Sequence, residues 1–272
     1  MENKKGNGIF LGIVSVATLI VAIIGATFAY FSASTISNNG AISATAYEYN
    51  LTLSVSPIYP EGASALIPMN ASAIVKDSKG EEYDANDDGV TETNLLYALN
   101  YAKDKCIDDH GLQVCALYQV TIRNEAVNPI TLKGKLYTNM NEAAKDKDGN
   151  VKEGRTPFQN LTYQAIEGNH TENNFETVGL AQKLDHTVNG EGIQIADIEI
   201  PGGTKSGDSI TPGVGTSYVL IYLNEAGSGQ SSEMGATFEG RIEYSSGDDD
   251  TNGLTGSFTV AAPEEDPEEE QG

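Results

Sequence analysis

From Tyr47 to Ser56 the chain alternates, with Tyr47, Tyr49, Leu51, Leu53 and Val55 on one face and Glu48, Asn50, Thr52 and Ser54 on the other. A period of two is the signature of a strand whose one face is buried, and a sheet built of such strands must cover that face with a second layer. The same period returns in Leu117–Arg123, Ile130–Tyr137, Gly192–Ile200, Ala236–Tyr244 and Leu254–Val260, and Leu161–Ile166 reads as a further strand. Ser217–Leu223, SYVLIYL, is nearly all apolar, which predicts a central strand. Asn128-Pro129 and Pro201-Gly-Gly203 punctuate these segments as turns. One helix is predicted outside the N-terminal region, over Thr93–Lys103, with Thr93 or Asn94 as its cap and Leu95, Leu96, Leu99 and Tyr101 as its apolar face.

Strands and helices do not alternate regularly, which excludes a doubly wound sheet. The expected fold is all-β: an antiparallel sandwich over residues 46–260 with jelly-roll or Greek-key connections and one short helix. Residues 32–45 are small and polar and are expected to form a flexible leader. Residues 261–272, AAPEEDPEEEQG, combine acids with two prolines and are expected to be a disordered tail.

Residues 1–31 have a different chemistry. An uncharged run, Ile9–Phe31, follows Lys4 and Lys5, and no basic residue comes after it until Lys76. At about 1.5 Å per residue such a run crosses a hydrocarbon core of about 30 Å, and the lysines place its N-terminus in the cytoplasm. The segment is thus expected to be a hydrophobic membrane-targeting helix, serving as a signal peptide or an anchor, with the remainder outside the cell. The remainder is strongly acidic. Of 16 basic and 39 acidic residues, Glu2, Lys4 and Lys5 are the charged ones up to Ala29, which leaves 14 basic against 38 acidic residues and a charge of −24. Phosphate recognition needs Lys and Arg to displace counterions, so nucleic acid is excluded as a partner, whereas cations such as calcium are attracted.

Two constellations carry candidate chemistry. Cys106 and Cys115 are the two cysteines of the chain, in CIDDHGLQVC. Outside the cytoplasm an isolated pair most often forms a disulfide; the rival, a metal pair, has one histidine nearby. Asp84-Ala-Asn86-Asp87-Asp88-Gly89-Val90 matches the first half of a calcium loop, with Asp84, Asn86 and Asp88 as oxygen ligands and the Val90 carbonyl as the next. The twelfth position is Leu95 rather than Glu, so an EF-hand is excluded. The alternatives are a looser calcium site completed by Glu92 or Asp108, and a solvated acidic turn. Asp146-Lys-Asp148-Gly149-Asn150 is a weaker candidate because Lys147 opposes a cation. For catalysis, His110, His170 and His186 form no H-E-x-x-H, no G-x-S-x-G elbow occurs, and no catalytic residue is assigned.

The junction Gly25-Ala-Thr-Phe-Ala-Tyr-Phe31 resembles the Gly-x-Thr-aromatic-Ala-x-Phe junction of the TasA/camelysin family of Gram-positive bacteria. Gly40-Ala-Ile-Ser-Ala and Tyr49–Ser54 look like that family's short spacer and first strand. A pilin-like signal fits less well, because Leu11 or Ile13 stands where its glutamate is expected. The resemblance implies a dedicated signal peptidase that cuts between Ala29 and Tyr30. It also implies an extracellular surface or biofilm-matrix fibre subunit that assembles with copies of itself. From the residues themselves, Tyr30 and Phe31 at the start of the leader are expected as apolar anchors of a strand added to a neighbouring subunit, the alternative being a floppy stalk. Two alternatives accompany it: a monomeric adhesin or binding module held in the membrane through residues 9–31, and a camelysin-like metalloprotease, for which no zinc-ligand pattern is present.

Intact mass of the cell-derived protein tests the processing step. The expected species begins at Tyr30; a species retaining Ile9–Phe28 would show a membrane-anchored form instead.

Overall fold

Every segment with strand periodicity becomes a strand in the computed structural model, which describes residues 42–46, 49–60, 66–69, 75–82, 94–224, 230–247 and 253–262. In chain order the elements are β1 (Ile42–Ala46), β2 (Tyr49–Tyr59), β3 (Pro68–Met69), α1 (Leu95–Asn100), β4 (Ala116–Asn124), β5 (Ile130–Glu142), β6 (Leu161–Glu167) and β7 (Glu176–Lys183). They continue with β8 (Ile193–Ile200), β9 (Thr204–Ser206), β10 (Ser209–Thr211), β11 (Gly213–Asn224), β12 (Thr237–Ser245) and β13 (Leu254–Ala261). A 3₁₀ turn, Ser231–Glu233, precedes β12. These elements lie in one unit, Gly40–Gly272.

Two antiparallel sheets pack face to face. The larger has the order β1-β2-β4-β11-β6-β7, with the two residues of β3 added in parallel at the end of β11. The smaller has the order β13-β12-β5-β8, and β9 and β10 form a separate hairpin. Between the sheets, Leu53, Val55, Val120, Ile122, Val219 and Ile221 of the larger meet Leu136, Ile198, Ile200, Phe238, Ile242 and Phe258 of the smaller. A second apolar cluster covers the outer face of the larger sheet. There Leu117, Ile166, Leu220 and Phe175 pack with Ala98 and Leu99 of α1 and with both cysteines. The apolar run of β11 has this cause: Val219 and Ile221 face the inter-sheet core while Leu220 faces α1 and the disulfide.

Two tyrosines tie the sheets together. The Tyr118 hydroxyl, from β4, donates to the Thr259 carbonyl of β13 at 2.9 Å, and its ring lies 4.4 Å from that of Phe258. Phe258 in turn lies against bare backbone, because a Cβ on Gly240 would come within 2.4 Å of its ring. The Tyr244 hydroxyl donates to the Ala196 carbonyl at 3.1 Å and lies 2.7 Å from Ser217 Oγ. Burial pushes both phenols above their usual range, as expected when a hydroxyl has an internal partner and little water.

Several expectations are corrected. Residues 42–45 of the segment expected to be a flexible leader belong to β1, which pairs antiparallel with β2 from Ile42↔Leu53 to Ala46↔Tyr49. Ala261 ends β13 and Ala262 is buried, its N–H donating to the Ala236 carbonyl, so the folded domain continues into the segment expected to be a tail. The helix is shorter than expected. Asn94 caps it, its Oδ1 accepting from the N–H groups of Leu96 and Tyr97, and Ala98 and Leu99 are its buried residues, while Tyr101 lies outside it and is 66% exposed. Among the described residues no helix is long and apolar enough to cross a membrane; residues 1–31, on which that expectation falls, lie outside the described residues.

The disulfide joins Cys106, just past α1, to Cys115, which leads into β4, with a Cα–Cα distance of 4.9 Å and both residues fully buried. Such a bond is the state expected in an oxidising compartment. Cys106 has φ +60° and is held on both sides, its N–H donating to the Ala98 carbonyl and its carbonyl accepting from Val114 N–H. Closing a loop of about ten residues contributes roughly 2–3 kcal/mol in the chain-entropy account. A Cys106→Ala/Cys115→Ala variant is expected to lose about that much in chemical denaturation. An unchanged denaturation midpoint would mean that the bond does not support the domain.

Candidate functional site

Three short loops share one construction. In Asp77–Glu81, Asp108–Leu112 and Asp146–Asn150 the first residue is Asp and the fourth is Gly. In each, Asp Oδ1 accepts from the backbone N–H groups two and four residues ahead: Lys79 and Glu81, His110 and Leu112, Asp148 and Asn150. The glycine N–H donates to the Asp carbonyl, and the Asp N–H donates to the carbonyl of the fifth residue. The glycines have φ of +83°, +81° and +86°, where a Cβ is strained, so the Gly is a geometric requirement. Antiparallel bridges Lys76↔Glu82, Ile107↔Gln113 and Lys145↔Val151 flank the three loops. Each is thus a tight reversal in which a carboxylate serves two backbone donors.

Two of the candidate acidic sites contain this construction. Asp146 and Asn150, the weaker calcium candidate, are engaged with each other through the turn, Asp146 Oδ1 accepting Asn150 N–H at 2.9 Å. Asp108, Asp109 and His110 form the one group of three potential ligands brought together among the described residues. Asp108 is buried and spends Oδ1 on its own turn. Asp109 is paired with His110 Nδ1 at 2.9 Å and with Lys76 Nζ at 3.4 Å, and Lys76 also reaches Glu82 at 3.6 Å. The Lys76 ammonium thus already neutralises part of the acidic charge of the cluster. A groove of about 610 Å³ runs beside this cluster, bordered by Lys76, Asp77, Lys103, Asp104, Ile107 and Asp109. Asp84, Asn86, Asp88, Val90 and Glu92, the main calcium candidates, lie outside the described residues, as do Ala29, Tyr30 and Phe31.

The other histidines are not part of this cluster. His170 Nδ1 lies 3.2 Å from the Tyr218 hydroxyl, and the His186 carbonyl accepts from Asn141 Nδ2.

The feature that periodicity did not reveal is the edge of the larger sheet. All eight residues of β7 are exposed, so no apolar face marks the strand. It pairs with β6 on its inner side, and its register shifts around Gly179, at φ +67°, and Leu180, which is 89% exposed. Among the described residues no strand lies on its outer side. An edge of this kind presents backbone donors and acceptors, and natural proteins either blunt it with a bulge or use it for pairing.

Comparison with protein-family models, with curated proteins and with solved structures finds no match for this chain.

Asp77 and Asp146 of these turns, together with Asp185, whose Oδ1 accepts from Thr187 N–H, carry a pH dependence of defined sign. Backbone hydrogen bonds, from Glu81 to Asp77, from Asn150 to Asp146 and from Thr187 to Asp185, hold the three carboxyls below the ordinary value of 3.8. A depressed folded-state value means that the stabilisation is present above the unfolded-state value and lost as pH falls through the folded one. The melting temperature is therefore expected to drop as pH is lowered from about 5 through 3.8 and below. The Asp77→Asn/Asp146→Asn/Asp185→Asn variant should show a shallower drop, since Asn keeps an accepting oxygen without the charge. Identical pH profiles for the two proteins would remove these turns from the account.

Proposed function

We propose that this chain is an extracellular structural protein, a subunit of a surface or biofilm-matrix fibre similar to those implied by the TasA/camelysin resemblance. In this reading its sandwich is of the jelly-roll class, residues 1–29 are removed by a signal peptidase, and the mature chain begins at Tyr30. The observation that carries the proposal is β7, an edge strand exposed along its whole length with Leu180 projecting outward. The buried disulfide is in keeping with life outside the cytoplasm.

A second copy supplies the occupant of that edge. Residues 30–41 precede β1 and, fully extended at about 3.3 Å per residue, span roughly 40 Å. Laid along β7 of a neighbour, the segment adds a strand through backbone hydrogen bonds, with Tyr30 and Phe31 anchoring it. Contacts of one edge with the leader of another copy do not close on themselves, so they grow filaments. The net acidic surface keeps unassembled subunits apart until specific pairing overcomes their repulsion.

Electron microscopy and light scattering of the mature chain test this. Filaments are expected from residues 30–272 and not from a chain lacking residues 30–40, which should remain a folded monomer. Leu180→Lys should keep the melting temperature, because the side chain is exposed, and suppress elongation. Filaments of normal length from the truncated chain, or none from the full mature chain, would overturn the fibre reading in favour of a monomeric surface module.

A further inference from the structure

Where β6 and β7 meet the 3₁₀ turn, three side chains that are distant in sequence converge. Lys183, the last residue of β7, donates from Nζ to Asn160 Oδ1 at 3.1 Å. Asn160 Nδ2 donates to Glu233 Oε1 at 3.4 Å. Glu233 is 4% exposed, and its second oxygen, Oε2, is buried without a hydrogen-bond partner. A buried carboxylate with an open oxygen is costly unless it serves a purpose or takes a proton. The groups are an amine, a carboxamide and a buried acid in sequence, which are the parts needed for acyl transfer from the amide to the amine.

We propose that Lys183 and Asn160 form an intramolecular isopeptide bond, with Glu233 as the proton carrier. The amine is already placed for it. The carboxamide carbon lies one C=O bond of about 1.23 Å behind Oδ1, so Nζ is within roughly 4.3 Å of the carbon it attacks. The backbones that carry the amine and the carboxamide are pinned to each other. Leu184 N–H donates to the Leu161 carbonyl, the Asn160 carbonyl accepts from Asn224 N–H, and Thr162 pairs with Lys183 in the β6–β7 register. The Glu233 turn is fixed to the same segment through Thr156 N–H and the Ser232 carbonyl at 2.7 Å.

The reaction balances without an outside reagent. Glu233 takes one proton from the Lys183 ammonium, and the free amine pair forms a bond to Asn160 Cγ while the carbonyl pair moves onto Oδ1. Glu233 then delivers its proton to Nδ2 and accepts one from the attacking nitrogen. The Oδ1 pair returns, the Cγ–Nδ2 bond breaks, and ammonia leaves. The products are a secondary amide, one ammonia and a protonated Glu233. Burial pushes the Glu233 carboxyl up, against the lowering effect of the Gln159 N–H, Gln230, Asn160 and Lys183, so the acid retains a proton more readily than an exposed carboxylate. Once made, the bond fastens the edge strand β7 to the entry of β6 and encloses the intervening residues in a covalent loop, a constraint of the same kind as the disulfide. This inference concerns the subunit itself and does not depend on filament formation.

The test is the intact mass and peptide map of the full mature chain after folding and incubation at neutral pH. The expected mass is one ammonia short of the sequence mass with the disulfide counted, and digestion should give a branched peptide joining Asn160 to Lys183. Lys183→Arg and Glu233→Gln should each retain the ammonia and give separate peptides. The first substitution is at an exposed position, and far-ultraviolet circular dichroism checks that the sandwich persists. Loss of ammonia that survives Lys183→Arg would be succinimide formation at Asn160 and would overturn the proposal. So would a full sequence mass after prolonged incubation, or a branched peptide still formed at the wild-type rate by Glu233→Gln.

Discussion

Burial of both faces of β4 and β11 is the constraint around which the domain is arranged. Along β11 successive residues turn to opposite sides, Val219, Ile221 and Leu223 toward the second sheet and Leu220 toward α1 and the disulfide. β11 sits between β4 and β6, and the rest of the larger sheet extends outward from it. The small helix is too short to be stable by itself. It exists because the outer face of β4 and β11 needs a cover, and Asn94 and the Cys106–Cys115 bond hold that cover in place.

Moving outward from those strands, burial declines and polar chemistry takes over. The smaller sheet is locked to the larger by hydroxyl contacts that pass between layers, from Tyr118 to the Thr259 carbonyl and between Tyr244 and Ser217. Beyond it the reversals are made by aspartates whose carboxylates are consumed by backbone N–H groups. A part of the large acidic excess is therefore structural: at these positions Asp is a turn-forming residue first and a negative charge second. At the far edge, β7 has neither a buried face nor an outer neighbour among the described residues. Its exposure underlies the proposed pairing with another copy, and its junction with β6 brings Lys183 to Asn160 and Glu233.

The strands legible in advance are those with one or two buried faces, because burial writes a pattern into side-chain polarity. β2, β4, β5 and β12 show strict or near alternation between buried and less buried residues. The strands missed have no such reason to be patterned. β7 is exposed on both faces, β9 and β10 are three residues each and exposed, and β3 is two residues added to the end of β11. Helical spacing puts Tyr101 on the apolar face of the helix, but the helix ends at Asn100, after which that spacing no longer says where a side chain points.

The candidate sites divide along the same line. The disulfide was legible because an isolated pair of cysteines nine positions apart admits few fates, and the repeated Asp-x-x-Gly pattern was present to be read as turn chemistry, since its hydrogen bonds span four residues. Local order of this kind belongs to the sequence: the β class, the central position of Ser217–Leu223 and the helix cap at Asn94. The pairing of β11 with both β4 and β6, the exposed edge at β7 and the meeting of Asn160, Lys183 and Glu233 belong to the tertiary structure. Their partners are separated by tens of residues, and side-chain periodicity records whether a position is buried, not which distant strand buries it.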